Sequence, residues 1–258
     1  MNRLDTRPAK KGIHSSGLRT MGMLILMVGI AGRGLIQNKL LGVGQLSTAE
    51  LLTVMQGSQE AAILTCFALI IQAMETCAAP IFAFLLVEGF RHTRNFGMYF
   101  ARVLGVAMVS EIPYNLAINS QVLFMESRNP VFGMVLGLVV LYVYERFRDK
   151  GLKNAAIKVA VTLAAILWGG MLKIYGGSCC VILVAVLWIF RKKPIYRNLF
   201  GCMAAASCSI LSPFFLISPL GFIGIRFYNG EKGPENRAVN YLAYPLLLLA
   251  AGLAVKFL

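Results

Sequence analysis

Residues 80–119 read PIFAFLLVEGFRHTRNFGMYFARVLGVAMVSEIPYNLAIN, with two long apolar runs on either side of a short basic segment. The first run predicts the second half of a membrane-spanning helix, and residues 91–95 predict a tight turn. The second run predicts another span that closes on EIPYN, residues 111–115. Carboxylates in or beside a span cost about 2.5 to 3.5 kcal/mol on insertion scales, so Glu88 and Glu111 require partners or water. We therefore expect the functional site in this stretch.

The composition of the whole chain indicates a membrane protein. The 258 residues are 58% hydrophobic and their mean hydropathy is +0.71, whereas soluble domains average about 45 to 50% apolar residues. Apolar segments recur along the chain, each close to the roughly 20 residues that a helix needs to cross a bilayer. We predict an all-α fold, a polytopic bundle of about eight or nine transmembrane helices in the bacterial plasma membrane.

The net charge of +14 comes from 25 Lys and Arg residues against 11 Asp and Glu residues. These cations lie in short loops and tails between apolar runs, which indicates topology signals and not a nucleic-acid partner. Residues 1–20 are predicted to be a basic cytoplasmic leader, followed by one transmembrane domain over residues 21–258. The positive-inside tendency also places residues 91–95 and 191–193 in the cytoplasm.

The boundaries of the spans are predicted from the apolar runs. The first span is expected at residues 21–41 and the last at residues 241–258. Residues 61–90 predict one long, tilted helix kinked at Pro80, because a re-entrant pair of helices would need a longer polar turn. Residues 198–228 contain two prolines and predict two short or broken spans, which leaves the count at about eight or nine.

The six cysteines do not form a metal-binding pattern. Four of them stand alone in apolar segments, and the adjacent pair Cys179–Cys180 lacks both the spacing of a ligand pair and a neighbouring histidine. We therefore expect all six to be packing residues, and we expect no bound metal.

The run PIFAFLLVEGFRHTRN, followed by SEIPYN, closely resembles the signature of the TraX family of bacterial membrane proteins. That family's namesake is linked to N-terminal acetylation of conjugative pilin. The resemblance implies a fold similar to that of membrane-embedded acyltransferases, which draw on cytosolic acyl-CoA. It thus implies acetyl-CoA or another acyl-CoA as the donor, and a membrane protein, peptide, sugar or lipid as the acceptor.

The resemblance also supplies the candidate site residues. Glu88 and Glu111 match the motif and are the candidate catalytic carboxylates. The candidates for substrate and cofactor binding are four basic side chains at the cytoplasmic edge and one asparagine, namely Arg91, His92, Arg94, Arg102 and Asn115. The basic side chains would form an electropositive mouth for coenzyme phosphates, or would serve equally as positive-inside anchors.

Two positions depart from the family pattern. Gly29-Ile30 stands where the family usually carries Asp-His, and Glu75-Thr76 stands where it usually carries Gly-Arg. Acyl transfer generally needs a base to take a proton from the acceptor. The loss of Asp-His therefore predicts weak or no transfer unless another residue has taken its role. Glu75 is interpreted either as a proton carrier or as a structural carboxylate that is protonated or paired with Lys or Arg.

Three functions are compatible with these residues. The first is acyl transfer with a base supplied by Glu88, Glu111 or His92. The second is a catalytically degenerate binding or accessory subunit in the membrane. The third, a small transporter, is disfavoured because the sequence shows no pair of repeated halves with interrupted helices.

Overall fold

The computed structural model describes residues 12–32, 34–36, 53, 56–119, 121–122, 124–234 and 237–257. Within these ranges the chain is helical, and extended segments meet only in isolated bridges such as that between Ile13 and Tyr228. The predicted all-α fold is confirmed. Residues 1–11 of the predicted leader and residues 37–50, which include the predicted end of the first span, lie outside the described residues.

The α-helices in chain order are α1 (Ser15–Gly32), α2 (Gln59–Glu75), α3 (Ala78–His92), α4 (Phe96–Asn119), α5 (Val131–Arg146), α6 (Leu152–Met171), α7 (Gly177–Ile189), α8 (Pro194–Ser207), α9 (Gly221–Arg226) and α10 (Arg237–Phe257). Two 3-10 helices, Cys208–Ile210 and Pro213–Leu220, connect α8 to α9. This interrupted segment corresponds to the short or broken spans expected at residues 198–228.

The long apolar run 61–90 is interrupted between α2 and α3, ahead of the proline that was expected to kink it. Pro80 lies in the first turn of α3, where a missing backbone N–H costs least. The proline has no N–H to donate to the carbonyl of Thr76, and its ring crowds that carbonyl. The hydroxyl of Thr76 also donates a hydrogen bond of 3.0 Å to the carbonyl of Phe214. The break is therefore anchored to the first 3-10 turn of Pro213–Leu220.

Three helical stretches among the described residues are long and apolar enough to cross a membrane. They are Ser15–Ile36, Gln59–His92 and Leu152–Met171. Shorter apolar helices are Gly177–Ile189, Pro213–Arg226 and Tyr241–Ala254. The expected count of about eight or nine spans is not confirmed, since several helices are shorter than the roughly 20 residues of a full crossing.

Helix α7 forms the centre of the bundle. It is apolar on all sides and most of its 13 residues are buried, the pattern expected of an enclosed helix. Glycines allow α5 and α6 to approach it closely. A Cβ on Gly133 would lie 2.8 Å from Cα of Gly177, and a Cβ on Gly169 would lie 2.9 Å from the backbone nitrogen of Ser178.

Helix α6 packs on this centre along one narrow side. Its buried residues are Ala165 and Gly169. The hydroxyl of Ser178 on α7 donates a hydrogen bond of 2.8 Å to the carbonyl of Ile166. The rest of α6 exposes large apolar side chains, including Leu167, which is 66% exposed.

Candidate functional site

A cavity of 810 Å³ follows the whole length of α3. Helix α3 has 15 residues, so this wall is about 21 Å long at a rise of 1.5 Å per residue. The middle of the cavity is apolar, with side chains from α1 and α3: Met23, Leu26, Phe82, Leu85 and Leu86. The two ends differ in their chemistry.

One end of the cavity, here called the cationic mouth, lies where α3 ends and α4 begins. Its basic side chains are Arg19, His92, Arg94, Arg102 and Lys232. The hydroxyl-bearing rings of Tyr99, Tyr228 and Tyr241 line the same region. Several positive groups around one opening raise the local concentration of anions. Three of the predicted basic residues, His92, Arg94 and Arg102, therefore lie around one cavity, together with Arg19 and Lys232, which were not among the predicted site residues.

The opposite end, here called the inner end, lies beside the break between α2 and α3. Its lining residues include Glu75, Thr76, Tyr175 and Phe215. Glu75 is 3% exposed, and it is the one acidic residue that the described part of the chain contributes to this end. The cavity therefore has a basic opening and an enclosed carboxylate at the far end.

Glu88 lines the cavity close to the mouth and is engaged by cations. Its Oε1 atom accepts a hydrogen bond of 2.6 Å from Nη1 of Arg91, three residues later on α3. Arg197 on α8 also interacts electrostatically with Glu88. Glu88 is itself only 8% exposed, and a carboxylate in such a place needs partners of this kind. The pairing of Glu88 with Arg91 follows the spacing expected on one helix face.

His92 has a defined orientation at the mouth. Its Nδ1 atom lies 2.8 Å from the backbone carbonyl oxygen of Glu88 and 3.8 Å from the Oε2 atom of the same residue. Because a carbonyl oxygen only accepts hydrogen bonds, the 2.8 Å contact assigns a hydrogen to Nδ1. His92 therefore presents a positioned nitrogen to the same opening as Arg94.

Glu111 and Asn115 lie outside the cavity lining formed by the described residues. Glu111 accepts a hydrogen bond of 3.1 Å from the backbone nitrogen of Asn129. The Oδ1 atom of Asn129 accepts one of 2.9 Å from the hydroxyl of Tyr244, and Tyr244 lines the cavity. Asn115 is 1% exposed, and its side-chain amide makes no hydrogen bond within the described part of the chain.

The structure thus brings four of the seven predicted site residues into one lining: Glu88, His92, Arg94 and Arg102. The other three are Arg91, which binds Glu88, Glu111, which binds the backbone of Asn129, and Asn115, which is buried outside the lining. Sequence spacing within α3 and α4 does not show which of these side chains reach the cavity.

Gly29 and Glu75, one from each of the two pairs that depart from the pattern of the resembling family, lie in contact. A Cβ on Gly29 of α1 would lie 2.5 Å from Cγ and 2.8 Å from Oε2 of Glu75 on α2. The side chain of Glu75 therefore occupies the volume that a side chain at position 29 would need. Ile30, which stands where the resemblance places histidine, is fully buried in the core.

This exchange was not found by sequence analysis, although its signal was present. The resemblance implies a carboxylate at position 29, where this chain has glycine, and a glycine at position 75, where this chain has glutamate. The two changes can be linked only when the contact between α1 and α2 is known. The sequence between α1 and α2 does not predict that Gly29 and Glu75 lie in contact.

Neither a metal site nor a disulfide is present in the described part of the chain. No group of three or more His, Cys, Asp or Glu side chains is arranged there to hold a metal ion. All six cysteines are free thiols. The groups available for chemistry in the cavity are carboxylates, basic side chains, the hydroxyls of tyrosine, serine and threonine, and the thiol of Cys180.

Comparisons with known proteins identify the family. The sequence model of the family described as "TraX protein" matches residues 63–255, a range that begins after α1. The "Probable fimbrial assembly protein FimC, serogroup H1" of Dichelobacter nodosus is 26% identical over 201 residues, which cover 69% of this chain and 80% of that protein. No solved structure matches the chain. The matched range contains the signature in residues 80–119 and α3, which lines the cavity from end to end, and the chain therefore belongs to the TraX family of membrane proteins.

Proposed function

We propose that this protein is a multi-pass acyltransferase of the bacterial plasma membrane, with its N-terminus in the cytoplasm. It takes an acyl group, with acetyl as the first candidate, from a coenzyme A thioester and transfers it to a protein or peptide at the membrane. The observation that supports this proposal best is the cavity, which joins a cationic mouth to an apolar interior. The lipid bilayer surrounds the apolar helices.

The mouth suits the phosphate groups of the donor. Arg94 and Arg102 present planar guanidinium groups, which bind phosphate through paired hydrogen bonds. Each charge-assisted hydrogen bond is commonly worth about 1.5 to 3 kcal/mol. In this proposal Glu88 keeps Arg91 and His92 in place, so that it acts as a positioning residue of the mouth.

The apolar middle of the cavity suits the arm and the acyl group of the donor. Phe82, Leu85 and Leu86 line this part along α3. A flexible chain that enters at the mouth would lie along this wall, with its thioester away from the opening. Exclusion of water from this part strengthens electrostatic interactions with the reacting group and prevents hydrolysis of the thioester.

The acceptor is proposed from the relative. The Dichelobacter nodosus protein is described as a probable fimbrial assembly protein, and we infer by analogy that the acceptor is a protein subunit handled at the membrane. Fold and family do not by themselves define the substrate. The proposal about the acceptor therefore stands apart from the proposal about the donor, and the two are tested separately.

An accessory role without catalysis is the second candidate. It is favoured by the full burial of Ile30 and by the lack of a histidine among the described residues of the inner end. In that case the cavity would bind a donor or an acceptor without accelerating its reaction. The two candidates differ in whether acyl transfer follows binding.

Titration of the purified full-length protein with acetyl-CoA tests the donor proposal. We expect saturable binding that weakens as salt is added, because the attraction at the mouth is electrostatic and is screened. No binding at millimolar acetyl-CoA would contradict the proposal. Saturable binding without transfer to any membrane acceptor would favour the accessory role.

A further inference from the structure

The inner end of the cavity contains a carboxylate that the proposed donor site does not use. Glu75 is 3% exposed, lines the cavity, and is separated from Glu88 by almost the whole length of α3. Glu88 is engaged by Arg91. Glu75 lies at the other end of the cavity with Thr76, Tyr175 and Phe215, where an acyl group bound in the apolar middle would point.

The position of this carboxylate is fixed by close packing. Glu75 is the last residue of α2, and its side chain lies against the backbone of α1 at Gly29. The next residue, Thr76, anchors the helix break, because its backbone N–H donates a hydrogen bond to the carbonyl of Ala73 and its hydroxyl donates one to the carbonyl of Phe214. A group that is held on both sides in this way has little freedom to turn away from the cavity, as a catalytic carboxylate requires.

We propose that Glu75 is the catalytic carboxylate of acyl transfer and that the acceptor meets the thioester at the inner end. This inference rests on the proposed function. It assigns the proton-accepting role to the end of α2, where the side chain of Glu75 lies against Gly29 of α1. Gly29 is the complementary half of the arrangement, because any side chain there would displace Glu75.

The transfer balances with Glu75 as acceptor and donor of one proton. The acceptor's nitrogen or oxygen attacks the thioester carbonyl, and its proton passes to the carboxylate as the new bond to carbon forms. The carbon–sulfur bond then breaks and the electron pair leaves with sulfur. The proton held by Glu75 passes to the sulfur, so that coenzyme A leaves as the thiol and the carboxylate is regenerated.

Radiolabelled acetyl-CoA and membranes from cells that lack the protein provide the test. Purified natural protein is expected to move label into the membrane fraction. Glu75→Gln keeps the size of the side chain and removes its basicity, so we expect transfer to fall by about 10² to 10⁴-fold, the usual contribution of a general base. Acetyl-CoA binding by this variant should stay within about threefold, since the phosphates bind at the other end of the cavity.

A second pair of variants tests the spatial argument. Glu75→Gly should lose transfer as Glu75→Gln does, and the double variant Gly29→Asp with Glu75→Gly should recover at least about tenfold, because it returns a carboxylate to the same space from α1. Gly29→Asp alone should not gain activity. Recovery by the double variant would also show that the loss in Glu75→Gly was not a general failure to fold.

The outcomes separate this inference from the proposed function. Failure of the natural protein to bind acetyl-CoA contradicts the proposed donor site. Full transfer by Glu75→Gln, with normal binding, would overturn the role of Glu75 and leave the acyltransferase proposal in place. Binding by the natural protein without any transfer of label would overturn the catalytic role and support the accessory function.

Discussion

The Nδ1 atom of His92 lies 2.8 Å from the carbonyl oxygen of Glu88, one helical turn earlier on α3. Together with the 2.6 Å contact between Arg91 and the carboxylate of Glu88, this interaction arranges the basic end of α3 around a single acidic residue. The carboxylate of Glu88 thus holds Arg91, and the backbone carbonyl of the same residue orients the ring of His92.

Replacement of Glu88 should loosen this end of the helix. We expect Glu88→Gln to lower the free energy of unfolding by about 1.5 to 3 kcal/mol, the usual value of a hydrogen bond to a charged group. Denaturant unfolding in detergent measures the change. Glu145→Gln is the matched control, because Glu145 pairs with Arg148 in an exposed place where an ion pair is worth about 0 to 1 kcal/mol. Equal effects of both variants would contradict the central role of Glu88.

Arg94 is expected to contribute to binding of the donor. Arg94→Ala should weaken acetyl-CoA binding by about 10 to 150-fold, which corresponds to the loss of about 1.5 to 3 kcal/mol in one charge-assisted hydrogen bond. Calorimetric titration gives the dissociation constants. Arg148→Ala removes the same charge away from the cavity lining and should leave binding almost unchanged. If both variants bind equally well, the mouth does not hold the phosphates.

The contact between α1 and α2 leads to a prediction about stability. Gly29→Ala places a methyl group against Glu75, and we expect it to cost about 1 to 3 kcal/mol of unfolding free energy, as overpacking usually does. In a Glu75→Gly background the cost should be smaller by about 0.5 to 3 kcal/mol, the range of coupling between residues in contact. A double-mutant cycle measures this coupling.

Gly105 on α4 offers the control for that cycle. A Cβ on Gly105 would meet nothing within 4 Å. Gly105→Ala should therefore be neutral or stabilise the helix by about 0.5 to 1 kcal/mol. If Gly29→Ala changes the free energy of unfolding as little as Gly105→Ala does, α1 and α2 are not packed as described.

The orientation in the membrane can be tested with single cysteines in a cysteine-free background. Asn95→Cys lies in the basic turn and should resist an impermeant thiol reagent in intact cells, because Lys and Arg near a span favour the cytoplasm. Glu126→Cys, at an exposed position between α4 and α5, should be labelled. Labelling of Asn95→Cys together with protection of Glu126→Cys would show that the chain has the opposite orientation in the membrane.

Residues 80–119 were sufficient to predict the helix, turn and helix that carry the mouth. Hydrophobic runs and a cluster of cations are local features, so they are visible in one sequence. The break before Pro80 was displaced from the expected place, because the ring acts on the carbonyl four residues earlier.

The site was predicted only in part, because several of its contacts join residues on different helices. Glu111 matches the family motif as well as Glu88 does, yet it binds the backbone nitrogen of Asn129 and lies outside the cavity lining of the described residues. From the sequence, Glu75 is a proton carrier or a structural carboxylate that is protonated or paired with Lys or Arg, and its contact with Gly29 is hidden because Gly29 is far away in sequence. Contacts of this kind depend on how helices cross, and the spacing of residues within one helix does not encode them.

Helix α6 has a narrow buried side and a broad apolar side, and this shape makes lipid a structural component of the protein. Lipid chains are as apolar as leucine, so burial of Leu167 against another helix would gain little in a bilayer. The helix is held instead by the hydrogen bonds of Ser178 to Ile166 and of Tyr144 with Thr162, which average about 0.6 kcal/mol each in such settings. The choice of detergent should therefore decide whether α6 stays packed against α7. A measured free energy of unfolding will depend on the detergent or lipid as well as on the protein.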